Sequence, residues 1–154
     1  MDNHVHLLTV PEKEDSLARG VGLTNQVYTR YLNRKLKQSG RIWQNRFFSC
    51  LVEDDNYHWS VARYIENNPL KAGLVDRAES YLWSSAKTHL NGAAEGLLHE
   101  PSWLRPEDRK NYADFMRESD KGAEDILRKA TRTDRPFGSE SFIDKLEFQL
   151  KQVL

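Results

Sequence analysis

The sequence predicts an α+β fold, and three observations predict it. Strand-like runs stand at residues 4–10 and 41–53, helical spacing of apolar residues fills the stretch between them, and a helical pattern in three segments follows residue 105. The 154 residues suit one domain or a little more, and four Trp, six Tyr and six Phe supply large core side chains. A mean hydropathy of -0.76 is polar, but the aromatics argue against wholesale disorder. No apolar run approaches the ~20 residues of a membrane span. The opening Met1-Asp2-Asn3-His4-Val5-His6 lacks the basic segment and apolar core of a signal peptide. A lone Cys50 excludes an internal disulfide and a cysteine zinc site. These features predict a cytoplasmic protein with no membrane association.

The elements follow in order. His4 to Val10 reads as a short strand stopped by Pro11. From about Asp15 to Gln38 a helix is expected, with Asp15 or Ser16 as its N-cap and Ser39-Gly40 as its end. Leu17, Val21, Val27, Tyr28, Tyr31, Leu32 and Leu36 would form its buried stripe. Residues 41–53 are rich in aromatic and β-branched side chains and read as a second strand. Asp54 or Asp55 then caps a helix that Asn68-Pro69 should stop. Leu70 to Val75 makes a turn or short helix, and Tyr81 to His89 leads into another. Residues 91–96, small and glycine-rich, mark the best boundary. Helices are expected at about 106–118, 121–131 and 139–153, the last with Ser139 as N-cap.

The zero net charge hides a division. Residues 1–52 hold eight basic and four acidic residues, and the remainder holds 15 basic and 19 acidic ones. No acid occurs from Ser16 through Val52, a stretch with seven cations. Such a stripe suits phosphates, or it is a solvated helix face.

Two constellations could carry chemistry. His4 and His6 on one strand would point the same way, about 7 Å apart, as two imidazoles able to share a divalent cation or as a surface pair. Tyr64 and Asn68 lie four apart on the later helix, so they stack one turn apart on one face. A phenol becomes a nucleophile when its deprotonation is assisted, and an amide oxygen suits a hard cation. Equally, Tyr64 reads as a core aromatic and Asn68 as a helix end before proline.

With these residues in view, the chain resembles the REP-associated tyrosine transposases of the HUH, single-tyrosine superfamily. The matching strings are Asn3-His4-Val5-His6-Leu7-Leu8, Gly40-Arg41-Ile42-Trp43-Gln44-Asn45-Arg46-Phe47 and Arg63-Tyr64-Ile65-Glu66-Asn67-Asn68-Pro69-Leu70-Lys71-Ala72-Gly73-Leu74-Val75, followed in order by Tyr81-Leu82-Trp83-Ser84-Ser85. A looser likeness reaches Arg132-Thr133-Asp134-Arg135-Pro136-Phe137-Gly138-Ser139. The resemblance implies that His4 and His6 hold Mg²⁺ or Mn²⁺ with Asn68, and that Tyr64 is the nucleophile. It implies cleavage and rejoining of single-stranded or hairpin DNA through a 5′-phosphotyrosine, and it allows a homodimer. Arg30, Arg34, Lys35, Lys37, Arg41 and Arg46 are then the candidate DNA contacts. Family members usually carry a strand, a helix and a strand before the histidine motif. The expectation is therefore an N-terminally truncated, incomplete ferredoxin-like HUH nuclease sheet with packed helices, and a helical C-terminal extension. The boundaries would be 1–90 for the catalytic domain lacking its first βαβ portion, 91–105 for a linker and 106–154 for the extension. A non-catalytic nucleic-acid-binding remnant, or an inert truncated product, is the alternative reading.

Overall fold

A computed structural model describes residues 3–54, 56–92, 98, 101–118 and 120–153. The chain separates into two compact units, one of residues 7–47 and one joining residues 1–6 to residues 48–154. Among the described residues no helix is long and apolar enough to cross a membrane.

The smaller unit is built on α1 (Ser16–Leu36), which begins after Asp15. It ends where Lys37 turns left-handed at φ 52°, its N–H donating to Arg34 O and that of Gln38 to Asn33 O. The helix thus stops two residues before the expected Ser39-Gly40, because this backbone turn already satisfies its last carbonyls. The following segment folds back along α1. Asn33 Nδ2 donates to Gly40 O at 3.0 Å, and Trp43 Nε1 donates to Asn25 O at 3.2 Å. The Trp43 ring lies 5.9 Å from that of Tyr28. The expected buried stripe is not buried. Val27, Tyr28, Tyr31 and Leu36 are all about half exposed, and no residue of α1 is fully enclosed. A helical stripe is buried only where a second layer covers it, and within this unit Trp43 covers a small part of one side.

The larger unit is helical: α2 (Asn56–Lys71), α3 (Ala86–Asn91), α4 (Arg109–Arg117), α5 (Lys121–Arg132) and α6 (Glu140–Val153), with short 3₁₀ turns at Ala78–Ser80 and Pro106–Asp108. The predicted α+β class is therefore corrected. The described residues hold no strand, so the expected ferredoxin-like sheet is absent from them. Residues 4–10 form no strand, and residues 41–53 contribute one isolated parallel bridge, Val52 to Phe137. There Glu53 N donates to Phe137 O at 3.0 Å and Phe137 N to Leu51 O at 2.8 Å. The physical reason is that β-propensity marks a chain fit for pairing but supplies no partner, and a ladder needs a second strand's N–H and C=O groups. The loose PFGS segment, Pro136 to Ser139, provides only enough for one bridge.

Pro69 also departs from expectation, since it lies inside α2 and does not end it. A proline here removes the N–H that would bond the carbonyl four residues back, Ile65 O, and the helix nevertheless continues to Lys71. Gly73 is left-handed at φ 67°, Gly73 N donates to Leu70 O, and Leu74 N donates to Pro69 O. This is a glycine-terminated Schellman ending. Ser139 does cap α6 as expected, its Oγ accepting from Phe142 N at 3.3 Å.

The core sits where α2, α3 and α4 meet. Ala62, Ala78, Ala86, Leu104, Tyr112 and Met116 are enclosed, with Trp59, Leu90, Trp103 and Phe115 packed around them. The small alanines let the helices approach, and the aromatic rings fill the remaining volume. Inside this apolar setting lies a polar cluster on Glu66, which is fully buried. Its Oε1 accepts from Ser85 Oγ at 2.6 Å and stands 2.6 Å from His89 Nδ1, while Oε2 accepts from Tyr112 Oη at 2.9 Å. Buried Asn67 donates to Met116 O at 2.9 Å, and the buried Arg63 guanidinium donates to Phe115 O and lies 3.9 Å above the Phe115 ring. The polar residues of the motif helix are thus held by α3, by α4 and by the Ser85 end of the Tyr81–Ser85 string.

Candidate active site

α2 has two faces. Residues two apart on a helix are separated by about 200°, so while Arg63, Glu66 and Asn67 enter the core, Tyr64 and Asn68 face the other way. Both are half-buried. On that side the N-terminal segment brings the histidines. The His6 ring meets the Tyr64 ring edge-on with 5.4 Å between centroids, and the His4 ring meets His6 edge-on at 4.9 Å.

His4 Nδ1 lies 2.7 Å from Asn3 Oδ1, a contact in which the ring donates and which leaves the lone pair on Nε2. The pKa of His6 is lowered, first by burial and then by the neighbouring His4, which favours the neutral ring with its free lone pair. From α5, the pKa of Arg128 is raised above its ordinary value, first by its interaction with the Tyr64 side chain. α5 is fastened to α2 by an ion pair between Lys71 and Glu124.

Among the described residues no group of three or more His, Cys, Asp or Glu side chains could hold a metal ion. The candidate donors are therefore the two imidazoles, with the Asn68 amide oxygen one helical turn beyond Tyr64 as the third. Neutral imidazoles with an amide oxygen are chemically suited to a divalent ion, so the residues present fit one.

The other sequence-derived candidates stand elsewhere. Arg30, Arg34, Lys35, Lys37, Arg41 and Arg46 all lie in the 7–47 unit and are all exposed. Lys35 Nζ lies 5.8 Å from the Tyr31 ring centroid. That unit holds eight basic residues against three acidic ones. Sequence reasoning missed Arg128. It lies 64 positions beyond Tyr64, outside every matching string, and only the close spacing of Arg128, Lys129 and Arg132 could have drawn notice.

Comparison with known proteins agrees with the four matching strings. Residues 1–68 match the family model described as "Transposase IS200 like". The match ends on Asn68 and contains His4, His6 and Tyr64. Over 95 residues the chain is 30% identical to a protein of Haemophilus influenzae named as a REP-associated tyrosine transposase, covering 55% of this chain and 54% of that protein. The chain thus spans about half the length of this curated relative. No solved structure matches it. Its first 68 residues are thus similar to IS200-like transposases, and a 95-residue stretch is similar to a REP-associated tyrosine transposase.

Proposed function

We propose that this chain cleaves and rejoins single-stranded or hairpin DNA in the cytoplasm, with Tyr64 as nucleophile and His4, His6 and Asn68 as ligands of Mg²⁺ or Mn²⁺. The observation that carries the reading is the meeting of half-buried Tyr64 with half-buried His6, which in turn meets the exposed His4, residues some sixty positions apart. A bound divalent ion would polarise a phosphate oxygen and neutralise charge there. The rest falls to the chain. The Tyr64 oxygen attacks phosphorus in line with the leaving 3′-oxygen, giving up its proton to solvent. The P–O3′ bond breaks, the 3′-oxygen takes up a proton, and a 5′-phosphotyrosine remains. Attack by a second 3′-hydroxyl reverses the step, so strand transfer needs no separate energy source. The exposed cations Arg30, Arg34, Lys35, Lys37, Arg41 and Arg46 serve as phosphate contacts along the strand. Use of two copies as a homodimer is compatible with this chemistry.

The test is a covalent-capture experiment. The chain is incubated with hairpin DNA carrying a single-stranded flank and Mn²⁺, then resolved under denaturing conditions. A DNA-bound species is expected, lost in Tyr64→Phe and on chelation. An adduct that persists in Tyr64→Phe would remove Tyr64 as the nucleophile. Salt-sensitive binding with no adduct at all would leave a DNA-binding protein without this chemistry.

A further inference from the structure

The reaction above uses the cations of the 7–47 unit and leaves its aromatic rings without a task. Tyr28 and Tyr31 stand three apart on α1, so they share a face. They are 46% and 56% exposed, with ring centroids 6.5 Å apart and planes tilted by 36°. The planes are not parallel, so the two faces are not spent on each other. Trp43 braces the pair at one end. Its ring lies 5.9 Å from that of Tyr28 and is itself fixed by the bond from Nε1 to Asn25 O. The bond from Asn33 to Gly40 O pins the turn that brings Trp43 back to the helix. At the other end Lys35 Nζ stands 5.8 Å from the Tyr31 centroid, and Arg34 follows Tyr31 by three residues on the same face. Brace, rings and cations form one row along the helix.

The charge of this row says what it fits. α1 contains no acid, and among the described residues the 7–47 unit has one ion pair, Arg19 with Asp15 at the far end of the helix. Arg30, Arg34 and Lys35 have no carboxylate partner among the described residues. Exposed rings want flat apolar faces, and the cations beside them want an anion. A nucleic-acid strand with unpaired bases offers both at once. We infer that Tyr28 and Tyr31 form a stacking platform for unpaired bases, with Arg34 and Lys35 holding the adjacent phosphates. The inference rests on the reading of this chain as one that handles DNA, and it makes no use of Tyr64. It also adds a preference that phosphate contacts alone lack. Cations attract single and double strands alike, whereas a duplex keeps its base faces stacked inside. The platform therefore selects the single-stranded part of a substrate.

The test is binding by the full chain to a labelled single strand of mixed sequence and to its duplex, followed by fluorescence anisotropy without divalent metal. Tyr31→Ala and Tyr28→Ala should each weaken single-strand affinity by about 5–150-fold and leave duplex affinity unchanged, while Tyr31→Phe keeps parent affinity. Removing a ring removes no charge, so the logarithmic salt slope should stay constant in both. Arg34→Ala/Lys35→Ala should lower that slope by about 1.4, at roughly 0.7 per lost phosphate contact. Unchanged single-strand affinity in both alanine variants would overturn the platform. So would equal losses on single strand and duplex, or a parent chain that binds the two alike. Sedimentation velocity gives the remaining arm: if Tyr31→Ala dissociates a dimer of the parent chain and spares DNA affinity, the face belongs to a second copy and the inference falls. Ring-dependent binding without any covalent adduct would sink the nucleophile reading and leave the platform standing. An adduct lost in Tyr64→Phe, with full single-strand affinity in Tyr28→Ala and Tyr31→Ala, would do the reverse.

Discussion

Replacing Glu66 by glutamine tests the polar cluster that holds the motif helix. The parent carboxylate is fully buried and takes contacts from Ser85, His89 and Tyr112 at 2.6, 2.6 and 2.9 Å. Hydrogen bonds to a charged group contribute about 1.5–3 kcal/mol each, and neutral ones about 0.5–1.5 kcal/mol. Glutamine keeps the size and one oxygen, so each of three bonds weakens by about 1 kcal/mol, roughly 3 kcal/mol in all. Its amide N–H also faces the Tyr112 hydroxyl, which must turn to accept. The assay is urea unfolding followed by tryptophan fluorescence, since Trp59 and Trp103 lie in the same core. With a slope of about 1–3 kcal/mol/M, the midpoint should fall by about 1–3 M. Glu66→Leu keeps the volume but orphans three donors, each at about 1–3 kcal/mol, and should fall further. A Gln midpoint equal to that of the parent, or a Leu variant as stable as the parent, would refute the claim that this carboxylate holds the helix.

Two further outcomes follow from the same core. The Tyr112 phenol is pushed above the usual tyrosine range, first by burial and then by the charge and hydrogen bond of Glu66. A raised folded-state pKa contributes stability that is complete below the unfolded value near 10 and is lost as pH rises above it. Unfolding midpoints should therefore decline above about pH 10, less steeply in Tyr112→Phe, and parallel declines would reject the assignment. Gly138→Ala should destabilise by about 1–3 kcal/mol, because the added Cβ would stand 2.6 Å from Phe142 Cδ1 and 2.7 Å from Glu53 Cβ. An unchanged melting temperature would mean that the PFGS segment yields without cost.

The helices were legible in the sequence because their signals are local. The Ser139 cap, Pro106 at the entry to α4 and the apolar spacing of α5 each act within a few residues. The sheet was misread for the converse reason. Residues 41–53 have the composition of a strand, yet pairing is a property of two segments, and the described residues offer Val52 only Phe137. Pro69 misled as well, since α2 runs through it to Lys71 and the left-handed Gly73 marks the real end. At the site, the approach of His4, His6 and Tyr64 answers to strings that could be read directly. The influence of Tyr64 on Arg128 depends on how α5 lies on α2, and no local pattern states that.

The string Arg63 to Pro69 combines two tasks that the helix geometry separates. With about 100° between successive residues, a one-residue rotation of α2 would turn Tyr64 away from His6. The same rotation would pull Glu66 from Ser85, His89 and Tyr112, and Asn67 from Met116 O. The angular position of the tyrosine is therefore set by buried polar contacts on the opposite face. The Lys71–Glu124 ion pair adds a second fix at the C-terminal end of the helix. In the proposed reaction a misplacement of about 1 Å at the nucleophile can cost about 10²-fold in rate. Substitutions at Glu66 or Asn67 should consequently slow adduct formation even where the protein stays folded, while Tyr64→Phe should abolish it with the Glu66 contacts intact. That contrast would separate the residue that reacts from those that aim it.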